Sequence, residues 1–584
     1  MDSWKRRTRR ALLVSLLLSP SSVLSFWPFT AKRFTQSGLI DAGALGIADE
    51  GRIVAFGDFN ADQLKGATIT HPATILNVVP GDMTYDGKLD LLVMSEGDNQ
   101  QISMTVYLGP FQADSQPQRL DVPDSTLAQP IPLDANGDMK IDLLGEVNSG
   151  GRSTIKLWQN SWSGPGSNLF TVADPVLRGA TCPLANPHSN AVVDLNGDCL
   201  ADLFLVCEEP ASGERSYQIW VNSKDSGFSL VGSGPLPDGI GAISFADMNR
   251  DGTIDIVFPT CDSVSSSGVG SKCKINIAFN QQLPLCITTS QKNCRSPESL
   301  CVADNAFTFN LDPSPSNAAF VSIPLGDILD TDALLMQDDT FKPYLPVALR
   351  IGDLNLDGFP DIIAIAVEKD GSRVPKVLLS NGGRKFQLVK DDVEALEAIK
   401  DARGVTVVDL DEDGSLDILV QRSGKDAITF IQNNFFYDAF WLRAIGRALL
   451  ISALLRLTFM AKPFGVSYSG ATYKYTVLDT TGARSAAQVG QLPQTAYHSL
   501  NTPYAFFGLG RTNNYIENLF VGSTKHAGDH YINIEGNWIP WVGVSVVAAM
   551  LVLAVMTFVL HLNEKREDEL ERRRASHHIN FDAL

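Results

Sequence analysis

The chain has 584 residues, a length that suggests two to four domains, and its 44% hydrophobic content excludes global disorder. With 47 Lys+Arg against 66 Asp+Glu the formal net charge is −19, which argues against a nucleic-acid binder, since phosphate recognition needs a basic face. Only 8 His are present, so few side chains are available for acid–base or zinc chemistry.

Residues 1–25 read as a secretory signal peptide. Lys5, Arg6, Arg7, Arg9 and Arg10 make a basic start, Ala11 to Leu18 a short apolar run, and Pro20 ends it before Val23-Leu24-Ser25. Between residues 26 and 440 one pattern recurs: Asp-x-Asx-x-Asp-Gly-x-x-Asp, followed by an aliphatic run. Its full copies carry Asp82, Thr84, Asp86 and Asp90; Asp134, Asn136, Asp138 and Asp142; Asp194, Asn196, Asp198 and Asp202; Asp247, Asn249, Asp251 and Asp255; Asp353, Asn355, Asp357 and Asp361; and Asp409, Asp411, Asp413 and Asp417. A degenerate copy starts at Asp58, Asn60 and Asp62, with Gly66 at its ninth position.

The spacing suits Ca²⁺, which takes six to eight hard oxygen ligands at about 2.3–2.6 Å. Positions 1, 3 and 5 of a tight loop aim three side-chain oxygens at one centre, position 7 supplies a carbonyl, and position 9 a further carboxylate. Gly at position 6 permits the turn in four copies. An EF-hand is excluded, because its loop runs to a Glu at position 12 between helices. Here Ile254-Asp255-Ile256-Val257-Phe258 and Leu416-Asp417-Ile418-Leu419-Val420 read as buried strands. A lone copy reads as an acidic turn; six copies do not. Most copies lie about 50–60 residues apart, the period of propeller blades. Seven loop positions predict a seven-bladed all-β propeller with structural Ca²⁺ at several sites. The first unit is clipped, and a disulfide-tied insertion spans about 261–320. Six bound Ca²⁺ would bring the charge of −19 to −7.

Residues 441–463 form an apolar run broken by Arg443, Arg447 and Arg456. A central Arg argues against a membrane span. An amphipathic helix packed on the ectodomain, or an exon-boundary error that would also account for the clipped first unit, are the readings left open. Residues 464–537 alternate in character and predict a small β-sandwich; Tyr473-Lys-Tyr-Thr-Val-Leu and Asn518-Leu-Phe-Val-Gly are its clearest strands. Val542 to Leu560 is free of charge and predicts a transmembrane helix over 541–561. Trp538 and Trp541 precede it, and Lys565, Arg566 and Arg572–Arg574 follow, placing tail 562–584 in the cytosol. All eight Cys (182, 199, 207, 261, 273, 286, 294, 301) fall on the other side, where disulfides form, in any of 105 pairings.

Phe56-Gly57-Asp58 and the loops resemble the FG-GAP repeats of integrin α-subunits. Downstream, Gln491-Leu-Pro-Gln-Thr495, Thr502-Pro-Tyr504, Asn433-Asn-Phe435 and above all Phe506-Phe-Gly-Leu-Gly-Arg-Thr-Asn-Asn-Tyr-Ile-Glu517 resemble the T-cell immunomodulatory protein family. The resemblance covers about residues 50–535. It implies a type I membrane protein with a propeller, a small sandwich and a role in adhesion, interaction or immune modulation. The expectation is a non-enzymatic, Ca²⁺-stabilised recognition ectodomain in the secretory pathway or plasma membrane. Its partner would be a protein ligand or co-receptor, and no nucleic acid. A sorting or assembly receptor, and then a propeller-fold carbohydrate-active enzyme, are the alternatives. The ligand would dock at the end of the propeller opposite the metal loops or on the Cys261–Cys301 excursion. His526 and His530, and Glu208-Glu209, read as surface turns rather than catalytic groups.

Overall fold

The computed structural model describes residues 38–45, 51–56, 69–111, 117–286, 291–340, 344–424, 427–435, 437–444, 468–479, 482–494, 500–535 and 539–576. The expected signal peptide, the degenerate motif at Asp58–Asp62 and residues 445–463 lie outside these.

Each full motif sits in the first hairpin of a four-stranded antiparallel meander. The sheets start with the pairs Ile75–Gly81 and Asp90–Glu96, Ile131–Leu133 and Asp142–Ser149, Ala191–Val193 and Asp202–Glu208, Ser244–Ala246 and Asp255–Thr260, Arg350–Gly352 and Asp361–Val367, and Ala402–Val408 and Asp417–Arg422. Position 1 therefore follows the first strand directly, and position 9 opens the second. The second strands are buried on both faces, because each sheet is sandwiched between neighbours. Phe204, Ile256, Ile362 and Ile418 are 0% exposed, and each such side chain contributes about 1.5–3 kcal/mol of burial.

Apolar clusters join the sheets in chain order, first to second, second to third and so on to the sixth. The all-β propeller is thus built as the motif period predicts. Its last sheet is completed by the strand at the start of the described chain. Leu39–Gly43 pairs with Ile428–Asn433, Leu39 opposite Asn433. Six motif-bearing sheets are present among the described residues. In the seventh position, the free face of the sixth sheet (Leu419, Ile428, Phe430) packs on Ile53 and Phe56. The free face of the first (Val93, Tyr107, Phe111) packs on Ile69. Ile53, Phe56 and Ile69 thus stand where a seventh blade would, and the described residues between Gly43 and Ile75 hold no strand.

The insertion is narrower than expected and divided. Residues 279–319 lie between the third strand (Lys274–Ala278) and fourth strand (Phe320–Pro324) of the fourth sheet. A separate hairpin, Ser263–Val264 with Val269–Ser271, joins Leu334–Leu335 at the edge of the fifth sheet. The disulfides are Cys182–Cys207, Cys199–Cys301, Cys261–Cys273 and Cys286–Cys294. The first lies within the third sheet; the other three tie these excursions down, and Cys199–Cys301 fastens the insertion to the third motif.

The sandwich layers Arg484–Gly490, Thr472–Asp479, Thr512–Gly522 and Tyr531–Glu535 against Phe440–Ala444 with Ala505–Gly510. Phe440–Ala444 is a strand of this domain, so the opening of the 441–463 run is neither helix nor linker. Tyr473, Tyr475 and Phe507 fill the space between layers. Helix Ile539–Ser576 follows. Its stretch Val547–Arg573 is long and apolar enough to cross a membrane, and none of it is buried against the protein.

Candidate metal centres

The motif backbone is the same in all six copies and is set by two left-handed residues, not one. Position 4 has a φ between 57° and 93° in every copy: Tyr85 57°, Gly137 71°, Gly197 93°, Arg250 59°, Leu356 61° and Glu412 57°. Position 6 is left-handed as well: Gly87, Met139, Cys199, Gly252, Gly358 and Gly414. Each copy places a glycine at one of the two. Where Met139 and Cys199 take position 6, Gly137 and Gly197 take position 4, which limits the strain of the double turn.

Position 9 was expected at the ion. The structure engages its carboxylate at both oxygens, in every copy by backbone N–H groups. Oδ2 of Asp90, Asp142, Asp202, Asp255, Asp361 and Asp417 accepts the position-2 N–H at 2.9–3.0 Å. Oδ1 accepts from Gly109, Asn160, Asn222, Asn280, Ser380 and Asn433, at the end of or just beyond the third strand of the same sheet, at 2.7–2.9 Å. The strand-end Asn residues are functional positions that the motif reading missed. Asn160, Asn280 and Asn433 donate Nδ2 to the position-2 carbonyls of the preceding sheet, Met83, Leu195 and Leu354. They latch blade to blade. Their signal was a second repeat, Trp-Gln-Asn160, Trp-Val-Asn222, Ala-Phe-Asn280 and Ile-Gln-Asn433.

Positions 1, 3 and 5 face the loop centre. In the first five copies the position-1 carboxylate accepts two N–H groups of its own loop, as Asp82 does from Asp86 at 3.0 Å and Gly87 at 2.8 Å. Position 3 gives Thr84 and the amides of Asn136, Asn196, Asn249 and Asn355, which reach the position-5 carboxylates of Asp138, Asp198, Asp251 and Asp357. Asp86 is exposed beside Lys88. The sixth copy holds three acids that converge: one oxygen each of Asp409, Asp411 and Asp413 lies within 4.8 Å of the others. Asp409 is 5% exposed, and its Oδ1 is buried without a hydrogen-bond partner. Asn249 Oδ1, at position 3 of the fourth copy, is buried and unpartnered too. Buried acceptors of this kind are costly unless something binds them. The donor set is all oxygen, which fits a hard cation such as Ca²⁺.

The sandwich covers this face of the propeller. Tyr468 and Thr524 hydroxyls donate to Asp134 Oδ2 at 3.0 and 2.5 Å. The Gln488 N–H donates to Asp247 Oδ2 at 3.0 Å. The Asp409 N–H donates to the Tyr504 hydroxyl at 2.7 Å, and Arg443 Nη1 stands 3.5 Å from Asp409 Oδ2. Gly508 lies so close to Asp353 that a Cβ there would overlap its Oδ2. At the third copy Lys474 Nζ is 3.0 Å from Asp194 Oδ2. His530 Nε2 donates to Asp198 O at 2.9 Å, so this histidine is structural.

Burial pushes a set of the loop acids up, and like-charged neighbours in the same loop add to it, against the backbone N–H bonds that favour the ionised form. Asp82, Asp142, Asp361 and Asp417 are pushed up to about 7, Asp90 and Asp134 to about 6, and Asp247 to about 8. Asp202, Asp255 and Asp353 are pushed well above the carboxylate range for the same reason.

This pairing of motif propeller and sandwich has close counterparts. The family model described as "ITFG1, C2 domain" matches residues 463–548, and the FG-GAP-like repeat model matches 194–258 and 353–420, which together hold the third to sixth motifs. The T-cell immunomodulatory protein of Macaca fascicularis is 30% identical over 41% of this chain and 91% of its own length. The chain belongs to the T-cell immunomodulatory protein family. The human member is 27% identical over 98% of both chains. The homolog from Plasmodium falciparum is 25% identical over 86% of this chain and 80% of its own.

Proposed function

We propose that the protein is a membrane-anchored recognition or adhesion module whose propeller is stapled by Ca²⁺ and which carries no catalytic task of its own. The four disulfides suit an extracellular or luminal ectodomain, and the apolar helix suits a single-pass anchor. The observation that carries the reading is the orientation of the motifs. They point at the membrane-proximal sandwich, so an ion there serves the build of the molecule, and the opposite end of the sheets is left for a ligand. The sixth motif, with the orphan Asp409 Oδ1, is the best-formed ion site. Relatives bear the name of immunomodulatory proteins rather than of enzymes. The ligand is a protein, and it docks at the end away from the sandwich. A groove of about 1050 Å³ opens there between Pro235, Cys261, Lys272, Lys274, Phe309 and Asp312.

The test is proximity labelling on cells with the full-length chain in Ca²⁺, compared with K272E/K274E. Neighbours recovered with the native chain and lost with the charge-reversed groove are the expected result. An unchanged set of neighbours would remove the groove as the recognition element.

A further inference from the structure

The third motif is unlike the other five. It is the most deeply buried: Asp194, Asn196 and Asp202 are 0–2% exposed. Its position-1 acid is paired with a fully buried ammonium from another domain, whereas Asp409 of the sixth motif has the part-exposed Arg443 at 3.5 Å. Lys474, on strand Thr472–Asp479 of the sandwich, is itself 0% exposed. Its ammonium lies 3.0 Å from Asp194 Oδ2 and donates to Gly197 O at 2.8 Å and to Leu300 O at 3.3 Å. Those partners are a position-1 carboxylate, a position-4 carbonyl and a carbonyl of the insertion, which Cys199–Cys301 holds against the same loop. All three ammonium protons are used, and a fully buried lysine is stable only when so paired. Gln488 completes the enclosure, with Nε2 on Asp194 O at 2.9 Å and on Asp194 Oδ2 at 3.2 Å.

We propose that Lys474 is the resident cation of the third motif: a tethered ammonium takes the place of the metal ion, and in doing so locks the sandwich onto the propeller. The inference rests on reading the motifs as cation loops. The two domains are then joined by a metal-independent lock at the centre of the chain's motif series, while the remaining motifs answer to Ca²⁺. An ammonium suits the role because it is a compact point charge with three donors, matched here to three oxygen acceptors.

The test is hydrogen exchange on the detergent-solubilised full chain, in EDTA and in millimolar Ca²⁺. In the native chain residues 194–202 are expected to keep their protection in EDTA, while 82–90 and 409–417 lose it. In K474M the 194–202 segment is expected to exchange at least roughly tenfold faster in EDTA and to regain protection in Ca²⁺, since removal of one member leaves a buried charge exposed to loss. The double variant D194N/K474M removes both charges and is expected to be protected in EDTA again, which separates loss of the lock from failure to fold. Native 194–202 that follows Ca²⁺ like the other motifs, or K474M that matches the native chain in EDTA, would overturn the proposal. A native chain in which no motif responds to Ca²⁺ would instead overturn the Ca²⁺ staple, with the K474M comparison in EDTA still deciding the role of the lysine.

Discussion

Within one motif the nine positions divide into two jobs. Position 9 ties the loop to the second and third strands through backbone N–H groups, and positions 1, 3 and 5 gather oxygens around a centre. Two substitutions in the sixth copy separate them. Asp417 accepts from Leu410 at 2.9 Å and Asn433 at 2.8 Å. D417N turns one acceptor oxygen into a donor facing an N–H and should cost about 2–3 kcal/mol in EDTA and in Ca²⁺ alike. D411N touches an exposed acid and should leave the EDTA melting curve nearly unchanged while shrinking the Ca²⁺-induced rise in Tm. Thermal melts of both variants in the two buffers check this; a D417N effect present only in Ca²⁺ would show that position 9 acts through the ion. At this scale the sequence was readable where the chemistry is local. The clustering of the loop oxygens and the glycine turn follow from spacing. Lys474 was not readable as a functional group. In Tyr473-Lys474-Tyr475 the alternation correctly points the tyrosines inward and the lysine outward, and only the tertiary structure shows that outward means into the propeller.

A motif loop and its sheet behave as one titrating element. Asp82, Asp142, Asp361 and Asp417 are buried beside like charges, so in the metal-free chain their folded pKa values lie above the unfolded value of about 3.8. The folded state then holds protons that the unfolded state has released, between about pH 4 and pH 7 for Asp82, Asp142, Asp361 and Asp417. Stability contributed by these groups is present at low pH and lost as pH rises through about 7. The EDTA-treated chain should therefore melt higher at pH 5.5 than at pH 7.5, and saturating Ca²⁺, which binds the ionised acids, should shrink or reverse that order. Melting curves at both pH values check the sign; a metal-free chain that gains stability from pH 5.5 to 7.5 would contradict the crowding argument. The strand assignments around the loops were legible because an aliphatic run follows each copy. The blade-to-blade Asn latches were legible only in principle, since Asn160 and Met83 meet across 77 positions of chain.

At the scale of the molecule, the propeller, the sandwich and the apolar helix follow from the motif period, the alternation after residue 464 and the uncharged stretch before 561. The way these parts meet does not. Partners such as Tyr468 and Asp134 are 334 residues apart, and no local pattern marks two surfaces as complementary. The blade count has a similar limit: seven loop positions suggest seven blades, whereas the described residues hold six motif-bearing sheets, with Ile53, Phe56 and Ile69 lying on the two faces that a seventh blade would cover. What unifies the parts is the charge. A chain at −19 brings its motif acids to one face of the propeller and presses a second domain against them, where Lys474 answers one of them and, under the proposed reading, metal ions answer the others. The most direct measurement is the Tm of the detergent-solubilised full chain in EDTA and in 1 mM Ca²⁺. At an extracellular-type Kd of about 10⁻⁴ M each occupied motif adds about 1.4 kcal/mol, so several motifs together should raise Tm by many degrees, and Mg²⁺ at the same concentration by less. Superimposable melting curves in EDTA and Ca²⁺ would contradict the account.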